Sequence, residues 1–415
     1  MSQTLKFGNG TWATKKGSTL AYNDEGGNFK PLPFAYTGAG KGTRVNKEGL
    51  IEVVENDRPR IDYKDSEDGV FLLEKAATNL FAYSEDFSQS YWGTSRIETP
   101  YIADTISPDG TLNAYTLEVS SGQTNGGGVF KTGISISGDN SFSVFAKKKT
   151  ANYLALGDTG LTSNAVYFDL ENGVVGATYN ATGEIQDFGN GWYRCTMKYT
   201  LTSSGAKFIY LSNIDGLTLG GVQGGDSVYI YGAMLEQGNP SSYIPTQGTI
   251  QTRVQETANG SGNSEVFNDS EGVLFADISA LDNDGTIRSI ALSNGTGVNR
   301  INIRFRSESN EVEYSLFVNG ETTKTITHSV YDTTNFHKMA ALYKKDDLKF
   351  YLNGFLVGSF VSANMFPTNT LNQLNFDSGA GLSDFYGKTK EIAYYDTVLT
   401  DLELETLTSY RTWEA

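Results

Sequence analysis

Paired carboxylates are the first residues in this sequence that could do chemistry. Two acids roughly 5–9.5 Å apart can hydrolyse a glycosidic bond, one as general acid and the other as base or nucleophile. Glu311 and Glu313 are two positions apart, which would place both carboxylates on one strand face. A Glu-x-Asp-x-x-Glu spacing, which would complete such a set, is absent. Since Asp401, Glu403 and Glu405 fall on a predicted short helix, we interpret all these acids as solvated surface residues.

The sequence contains few of the residues that nucleophilic catalysis requires. The sequence has one cysteine, Cys195, on a predicted core face, and two histidines, His328 and His337. A catalytic thiol or hydroxyl needs a base within hydrogen-bond reach. We interpret His337, at the start of a predicted strand, as structural. The sequence therefore predicts no catalytic residue and a protein that is not an enzyme.

Two short motifs bear on metal and phosphate binding. Asp282-Asn-Asp-Gly285 places oxygen ligands on a tight turn, but the glutamate that ends an EF-hand loop is missing. We predict an ordinary Asx turn there and no cofactor, with calcium as the alternative. Thr37-Gly-Ala-Gly-Lys-Gly-Thr43 lacks the Gly-Lys-Ser/Thr ending of a phosphate loop, and a turn rather than a helix follows it.

Aromatic side chains can stack on sugar rings, and five stand out by position. They are Trp92, Trp192, Tyr91, Tyr101 and Tyr179. We interpret the two tryptophans as core residues, because large aromatic side chains dominate the burial of apolar area. The three tyrosines stay open, so the sequence assigns no carbohydrate-binding residue.

The elements that would position these residues are strands. The chain has 46 Gly, 24 Tyr and 23 Phe, a balance that favours strands and turns. Val228–Leu235 is an almost wholly apolar run, which predicts a strand buried on both faces and ended at Gln237–Pro240. Parallel strands need long crossovers, and no helical segments separate the predicted strands. The sequence therefore predicts antiparallel sandwiches.

Local signals fix several elements within this pattern. Asn319–Gly320 and Asn353–Gly354 predict type I′ hairpin turns, because both central residues need positive φ. Apolar and polar residues alternate along Trp192–Tyr199, which predicts a strand with Tyr193, Cys195, Met197 and Tyr199 on one face. A capping box at Thr400 predicts one short helix over 401–408.

Composition excludes some partners. The 415 residues carry a net charge of −16, which opposes binding to nucleic acid or to an anionic membrane. No stretch reaches the ~20 apolar residues that span a bilayer, and Met1–Gly10 has no charged start followed by an apolar run. We therefore expect no membrane insertion and no signal peptide. With one cysteine, no intrachain disulfide can form.

Three ranges are predicted as domains. Residues 1–60 contain short β pieces between glycine-rich turns and form an N-terminal region that we expect to pack on a partner or on the next domain. Residues 61–247 form the first sandwich, and residues 248–415 form the second. Gly248–Gly262 is polar and is interpreted as a linker or an edge strand.

Several segments resemble a sequence pattern common in bacteriophage tail-fibre and other virion proteins. They are Thr43–Glu52, Pro59–Asp62, Leu72–Glu74, Thr78–Leu80, Tyr83–Phe87 with Trp92, Gly191–Arg194, Tyr229–Glu236 and Ser242–Thr246. The resemblance implies that residues 61–247 form a jelly roll similar to carbohydrate-binding modules. It also implies that residues 1–60 attach the chain to other virion proteins.

The last range resembles the concanavalin/laminin-G-like domains of phage structural proteins. The segments that carry this resemblance are Phe336–Tyr343, Phe350–Gly358, Phe385–Lys390 and Tyr394–Thr400 with Leu404. Such domains often hold calcium at a rim loop, which is the reason to keep that alternative at 282–285.

Together these observations predict an all-β chain with two tandem antiparallel sandwiches after a short N-terminal anchoring region. The resemblances imply a fibre or spike subunit of the virion that presents glycan-binding modules to the host surface or to mucus. Repeated copies would raise avidity, and a homotrimer is expected because similar fibres are trimers. The alternatives are a capsid decoration or head-fibre protein and a glycan depolymerase.

Overall fold

The computed structural model describes residues 5–8, 10, 12–15, 19–22, 33–38, 40–99, 102–161, 163–201, 205–216, 219–361 and 364–410. Within these ranges almost all regular structure is strand, and every strand pair is antiparallel. The single helix of the described residues is α1 (Asp401–Thr408). The predicted all-β fold class is therefore confirmed.

The strands are numbered in chain order. Those that begin before residue 100 are β1 (Leu5–Gly8), β2 (Trp12–Lys15), β3 (Thr19–Tyr22), β4 (Phe34–Thr37), β5 (Gly42–Val45), β6 (Ile51–Val54), β7 (Arg60–Asp62), β8 (Val70–Leu73), β9 (Ala77–Asn79) and β10 (Gly93–Ser95). The next are β11 (Ala103–Ile106), β12 (Leu112–Glu118), β13 (Gly128–Lys131), β14 (Gly138–Lys148), β15 (Tyr153–Asp158), β16 (Asn164–Asp169), β17 (Val174–Tyr179), β18 (Thr182–Asp187), β19 (Trp192–Leu201), β20 (Lys207–Ser212), β21 (Ser227–Gln237) and β22 (Gln251–Arg253). The last are β23 (Thr257–Asn259), β24 (Glu271–Ala280), β25 (Arg288–Ser293), β26 (Arg300–Phe305), β27 (Glu311–Val318), β28 (Glu321–Ser329), β29 (His337–Lys344), β30 (Leu348–Leu352), β31 (Phe355–Phe360), β32 (Gln373–Asn375) and β33 (Gly387–Tyr395).

The chain divides into two compact units. The first unit contains the described parts of 1–39, 56–75 and 255–415. The second unit contains the described parts of 40–55 and 76–254.

The second unit is a sandwich of two six-stranded sheets. Their strand orders are β10-β13-β20-β15-β16-β17 and β11-β12-β21-β14-β19-β18. The core between the sheets contains Leu156, Phe168, Cys195, Met197 and Ile230, all fully buried. Two short pairs, β5-β6 and β9-β22, complete this unit.

The first unit packs an eight-stranded sheet against a five-stranded one. The larger sheet has the order β31-β30-β29-β24-β33-β8-β7, with β1 also paired to β33, and the smaller has the order β28-β27-β26-β25-β32. Leu274, Ile303 and Met339 lie in the core of this unit. A separate apolar cluster is built on alternate residues of the large sheet, and Leu404 of α1 belongs to it. The strands β2, β3, β4 and β23 form a further small sheet.

Local signals in the sequence predict these elements well. Asn319 and Gly320 connect β27 to β28 with φ of 54° and 84°, and Asn353 and Gly354 connect β30 to β31 with φ of 51° and 91°. β21 is buried along almost its whole length, as the apolar run predicts. The capping box at Thr400 is present, since its side chain accepts from the Glu403 N–H and Glu403 accepts from the Thr400 N–H.

The two compact units differ from the three predicted ranges, 1–60, 61–247 and 248–415. Residues of β1 and β8 join the first unit because both strands pair with β33, as in the partners Leu5 and Tyr394. Residues 40–55 join the second unit, where the Thr43 hydroxyl donates to the Tyr243 carbonyl at 2.7 Å. The segment 248–262 contains two edge strands, β22 and β23, so its edge-strand interpretation is confirmed. Pairings between residues so far apart leave no local trace in composition.

Candidate functional site

One side of the five-stranded sheet in the first unit carries a grid of mostly polar side chains. Directly opposed residues of neighbouring antiparallel strands point to the same side of a sheet. Three rows across β25, β26 and β27 make up this side: Ser289–Arg304–Glu313, Ala291–Asn302–Ser315 and Ser293–Arg300–Phe317. We call these nine residues the polar face. The alternate residues of the same strands, such as Ile290, Ile303 and Tyr314, belong to the core.

Asn302 lies at the centre of the polar face and is fully buried. Neither its Nδ2 nor its Oδ1 has a hydrogen-bond partner among the described residues. The hydroxyls of Ser289 and Ser315, both at most 1% exposed, also lack partners in the described parts of the chain. Buried polar groups are nearly always hydrogen-bonded, and a buried polar group without a partner costs about 1–3 kcal/mol of stability. Donors and acceptors without partners among the described residues are thus concentrated at the centre of the polar face.

The polar face carries two cationic side chains, Arg300 and Arg304, and one anionic side chain, Glu313. Glu313 is 1% exposed, and its Oε1 lies 2.5 Å from Arg304 Nη2 in a contact without hydrogen-bond geometry. Its Oε2 accepts from Arg306 Nη1 at 3.1 Å, and Arg306 also pairs with Glu311. A buried carboxylate needs such cationic partners, because an isolated charge in the interior is expensive. The face therefore offers no large excess of either charge.

Arg300 closes one end of the grid. Its guanidinium carbon lies 3.7 Å from the centroid of the Phe317 ring, within the range of a cation–π contact. Burial lowers the pKa of Arg300, and the charge of Arg304 lowers it further. Its Nη1 donates to the Gly297 carbonyl, while its Nε has no partner among the residues described.

The segment 377–384 packs along the β25 edge of the grid. The Ser289 N–H donates to the Ser383 carbonyl at 3.0 Å. Gly379, at φ of 79°, comes so close to β25 that an added Cβ would lie 2.6 Å from the Cβ of Ser293. This close approach helps to shield the polar side chains from water.

The polar face presents donors and acceptors side by side. A hydroxyl group both donates and accepts, so a ligand with several hydroxyls matches this mixture better than an anion, a cation or an apolar group. Glycoside hydrolysis needs two carboxylates, whereas the nine residues of the polar face include one, Glu313, which is held by two arginines. The arrangement suits binding.

Some predicted positions of acids need correction. Glu311 and Glu313 share one strand face and both contact Arg306, as their spacing predicts. The surface interpretation is wrong for Glu313, because the arginines beside it exclude water from its carboxylate. Asp401 is exposed and pairs with Lys349 at 2.8 Å, and Glu403 caps α1.

The cysteine and the two histidines weighed for nucleophilic catalysis belong to different compact units. Cys195 is buried in the core of the second unit, and burial raises the pKa of its thiol, which disfavours the reactive thiolate. His337 lies in the first unit, where its Nε2 is 2.9 Å from the Asp332 carbonyl oxygen and its Nδ1 is 3.1 Å from Asn353 Nδ2. Burial lowers its pKa. His328 is exposed on β28.

The 282–285 turn already has its charge compensated. Asp284 lies 2.9 Å from Lys75 Nζ and 2.7 Å from Arg288 Nη2. Burial alone would raise the pKa of Asp284, but these two cations hold it well below its usual value. The residues that the structure describes contain no group of three His, Cys, Asp or Glu side chains suited to a metal ion. In the 37–43 motif, β4 ends and β5 begins with no helix between them, and Ala39 lies outside the described residues.

The aromatic candidates divide into core and partly exposed residues. Trp92 and Trp192 are 3% and 2% exposed, and their indole N–H groups donate to the Tyr83 and Ile106 carbonyls. Tyr91 is half-buried under the Lys131 ammonium, 4.1 Å from its ring centroid. Tyr101 lies outside the described residues.

Tyr179 packs on an aromatic cluster of the second unit. Its ring centroid is 6.3 Å from that of Tyr167, which is fully buried. The Tyr167 hydroxyl has no partner among the described residues, and burial raises its pKa to about 12. Tyr210 and Phe208 belong to the same cluster.

Sequence reasoning does not single out the centre of the polar face. The alternation of Arg300, Asn302 and Arg304 with apolar residues along β26 was the available signal. The register that sets Asn302 between Ala291 and Ser315 comes from two hairpins whose pairing the sequence leaves open.

No helix in the described ranges is long and apolar enough to cross a membrane.

No curated protein matches the sequence. Several solved structures align with part of the chain. The CBM40 of the Ruminococcus gnavus IT-sialidase, bound to alpha2,3 sialyllactose, is 18% identical, with 36% of this chain and 94% of that chain covered and a TM-score of 0.31.

Two further solved structures are matched over a smaller share of their own length. The leech intramolecular trans-sialidase in complex with 2,7-anhydro-Neu5Ac is 16% identical over 37% of this chain and 27% of that chain, with a TM-score of 0.31. A heptameric SAP-like pentraxin from Limulus polyphemus is 12% identical over 34% and 70%, with a TM-score of 0.27. Residues 274–405, which contain the whole polar face, match the model of the family described as the concanavalin A-like lectin/glucanases superfamily.

Proposed function

We propose that this chain binds glycans and that the polar face of the first unit is a binding site for sugar hydroxyl groups. The observation that carries the proposal is Asn302, a fully buried amide with no partner for either its donor or its acceptor among the described residues. The polar face also lies within the range that matches a family containing lectins.

Hydroxyl groups of a ligand would satisfy several of these atoms at once. One hydroxyl donates to Asn302 Oδ1 and accepts from a neighbouring group, and a second accepts from Asn302 Nδ2. Arg300 and Arg304 flank Asn302 on the same strand and are only half-buried. Their long side chains have rotamer freedom, so ligand entry requires one of them to turn aside.

A glycan array with the purified chain tests this proposal. The wild-type chain should bind at least one neutral glycan at millimolar concentration. Asn302→Leu should weaken that binding at least tenfold, since it removes both polar atoms and keeps the size of the side chain. The control is Asn372→Leu, the same change at an exposed position of the same unit. An array without a hit, or an array on which Asn302→Leu binds every glycan as well as the wild-type chain does, contradicts the proposal.

The wider role in this proposal is that of a bacteriophage fibre or spike subunit. Its support is the sequence resemblance in segments such as Thr43–Glu52 and Tyr229–Glu236. A homotrimer attached to other virion proteins would present several weak sites together and adhere to host-surface or mucus glycans by avidity. The alternative is a capsid decoration or head-fibre protein. Locating the chain in purified particles decides: at the tail it is a fibre, at the capsid it is a decoration protein, and absence from particles contradicts both.

The proposal treats the chain as a binding protein rather than an enzyme. A glycan depolymerase remains the alternative because concanavalin-like folds include glucanases. Release of reducing ends from a bound polysaccharide, abolished by Glu313→Gln, would favour the depolymerase over the proposal. Intact polysaccharide after prolonged incubation agrees with a binding protein.

A further inference from the structure

A separate cleft of about 400 Å³ opens at one end of the sandwich in the second unit. It lies where β14 begins, β19 ends, the β17–β18 turn passes and β21 leads into its exit turn. The residues that line it include Asp139, Asn140, Asn180, Lys198, Thr200 and Asn239. This volume falls in the lower part of the roughly 300–1,000 Å³ range of small-molecule sites.

Asn140 forms the buried floor of the cleft. Its side chain is 1% exposed and lies on the same strand face as Phe142, a core residue. Asn140 Nδ2 donates to the Gly138 carbonyl at 2.6 Å, whereas Oδ1 has no partner in the described parts of the chain. The floor therefore holds an acceptor that lacks a donor.

The other polar groups of the floor are already paired. Tyr199 lies opposite Asn140 on β19, and its hydroxyl donates to Asp158 Oδ2 at 2.8 Å. Asp158 also pairs with Lys207 at 2.9 Å, and both side chains are fully buried. Tyr199, Asp158 and Lys207 are thus paired with one another, and none of them is a hydrogen-bond partner of Asn140 Oδ1.

The rim of the cleft adds groups of mixed character. Asp139 Oδ1 accepts a hydrogen bond from the Thr200 hydroxyl at 2.6 Å. Lys198 lies 3.9 Å from Glu184, a distance that leaves its ammonium weakly engaged. Asn180 uses its Nδ2 on the Ser163 carbonyl at 2.7 Å. The rim thus offers a carboxylate, an ammonium and amide groups within one small space.

We infer that this cleft binds a single neutral sugar unit, with one sugar hydroxyl donating its proton to Asn140 Oδ1. An anionic ligand would meet the Asp139 carboxylate. A metal ion would need more carboxylates, and the described residues form no group of three such ligands. An apolar ligand would leave Asn140 Oδ1 unpaired. A polyhydroxy ligand satisfies the buried acceptor and both charges of the rim.

This site goes beyond the polar face because it lies in the other compact unit. One chain then carries two independent sugar sites, and the failure of one leaves the other untouched. Linked sites raise avidity without any new contact.

Saturation-transfer difference NMR on the full chain tests the cleft. The probes are the methyl glycosides of glucose, galactose, mannose, fucose, xylose and N-acetylglucosamine. At least one should bind the wild-type chain and Asn372→Leu, a change at an exposed position of the other unit, equally well. Asn140→Leu should weaken that binding at least tenfold, because it removes the buried acceptor.

A second variant guards against a folding defect in Asn140→Leu. Asn239→Trp fills the cleft from its exposed rim, so it should abolish binding without changing the core; Asn372→Trp in the other unit should bind normally. No signal with any probe, or unchanged binding by both Asn140→Leu and Asn239→Trp, overturns the inference. Loss in Asn239→Trp alone overturns the role given to Asn140.

Discussion

Asn302 and Ser315 lie directly opposite each other on β26 and β27, both buried, and neither side chain has a hydrogen-bond partner among the described residues. Asn302→Leu should therefore raise the stability of the first unit by about 1–2 kcal/mol, because it removes two unmet polar groups and keeps an apolar volume in place. Thermal unfolding of the ligand-free chain measures this as a shift of a few degrees.

Asn372→Leu provides the matched control and should leave the midpoint within about 1 °C, as surface changes usually do. A clear fall in the midpoint for Asn302→Leu would mean that the amide is hydrogen-bonded in the ligand-free protein. That result would contradict the reading of Asn302 as an unmet group.

Arg60 holds together distant parts of the first unit. It is 1% exposed, its Nε donates to Glu256 Oε1 at 2.7 Å, and its Nη2 lies 2.8 Å from Glu74 Oε2. The Tyr36 hydroxyl donates to the same Glu256 oxygen at 2.6 Å. Arg60→Met should destabilise this unit by about 3–5 kcal/mol, because it removes the cation that the buried carboxylates of Glu74 and Glu256 both contact. Chemical denaturation measures the loss.

The exposed pair Arg44–Glu52 supplies the comparison, with side chains 26% and 45% accessible to solvent. Arg44→Met should cost about 0–1 kcal/mol, as exposed ion pairs do. Equal losses for the two methionine variants would show that Arg60 is not a buried anchor. The double variant Arg60→Met with Glu256→Gln should recover part of the loss.

Asp277 makes the stability of the first unit depend on pH. Burial raises its pKa from 3.8 to about 6; Lys338 and Lys390 oppose this rise, and Glu391 adds to it. The folded state then binds more protons than the unfolded state between about pH 4 and 6, so stability falls as pH rises through this window. Asp277→Asn should be more stable than wild type by about 2 kcal/mol at pH 7, and this difference should disappear near pH 4.

The difference between wild type and Asp277→Asn isolates this carboxyl from the other acids that titrate in the same range. A constant difference for Asp277→Asn from pH 4 to 7 would argue against the raised pKa.

The cap of α1 gives a smaller, local effect. Thr400 satisfies the Glu403 N–H at 3.3 Å, and Glu403 Oε2 accepts from the Thr400 N–H at 2.8 Å. Thr400→Ala should destabilise the helix by about 1 kcal/mol. Thr406→Ala, within the same helix, should be neutral or slightly stabilising because alanine has the higher helix propensity. Hydrogen exchange of the Leu404 amide distinguishes the two variants.

The parts of the fold that depend on neighbouring residues were predictable. The Asn-Gly turns need positive φ, which residues 319–320 and 353–354 adopt, and the apolar run of β21 has no stable place outside a core. The unit boundaries were not predictable in the same way. The pairing of Leu5 with Tyr394 depends on the whole chain between them, and no local pattern encodes it.

Only some of the residues of the candidate site could be identified from the sequence, and their arrangement could not. Glu313 belongs to a spacing that the sequence analysis considers, but its burial depends on arginines from β26 and the turn that follows it. Asn302 and Asn140 look like ordinary polar residues of strands. What sets them apart is that buried atoms of their amides lack hydrogen-bond partners among the described residues. This depends on three-dimensional packing and not on the spacing of residues in the sequence.

The side-chain amide of Asn302 offers the most direct measurement of the central claim. Its Nδ2–H₂ signals in a ¹H–¹⁵N spectrum can be assigned by their loss in Asn302→Leu, and followed while an array glycan whose binding Asn302→Leu weakens is added. The account predicts that these signals shift and saturate with the same Kd as glycan binding to the whole chain, in wild type and in Asn140→Leu alike. Signals that stay unchanged while the glycan binds would contradict it.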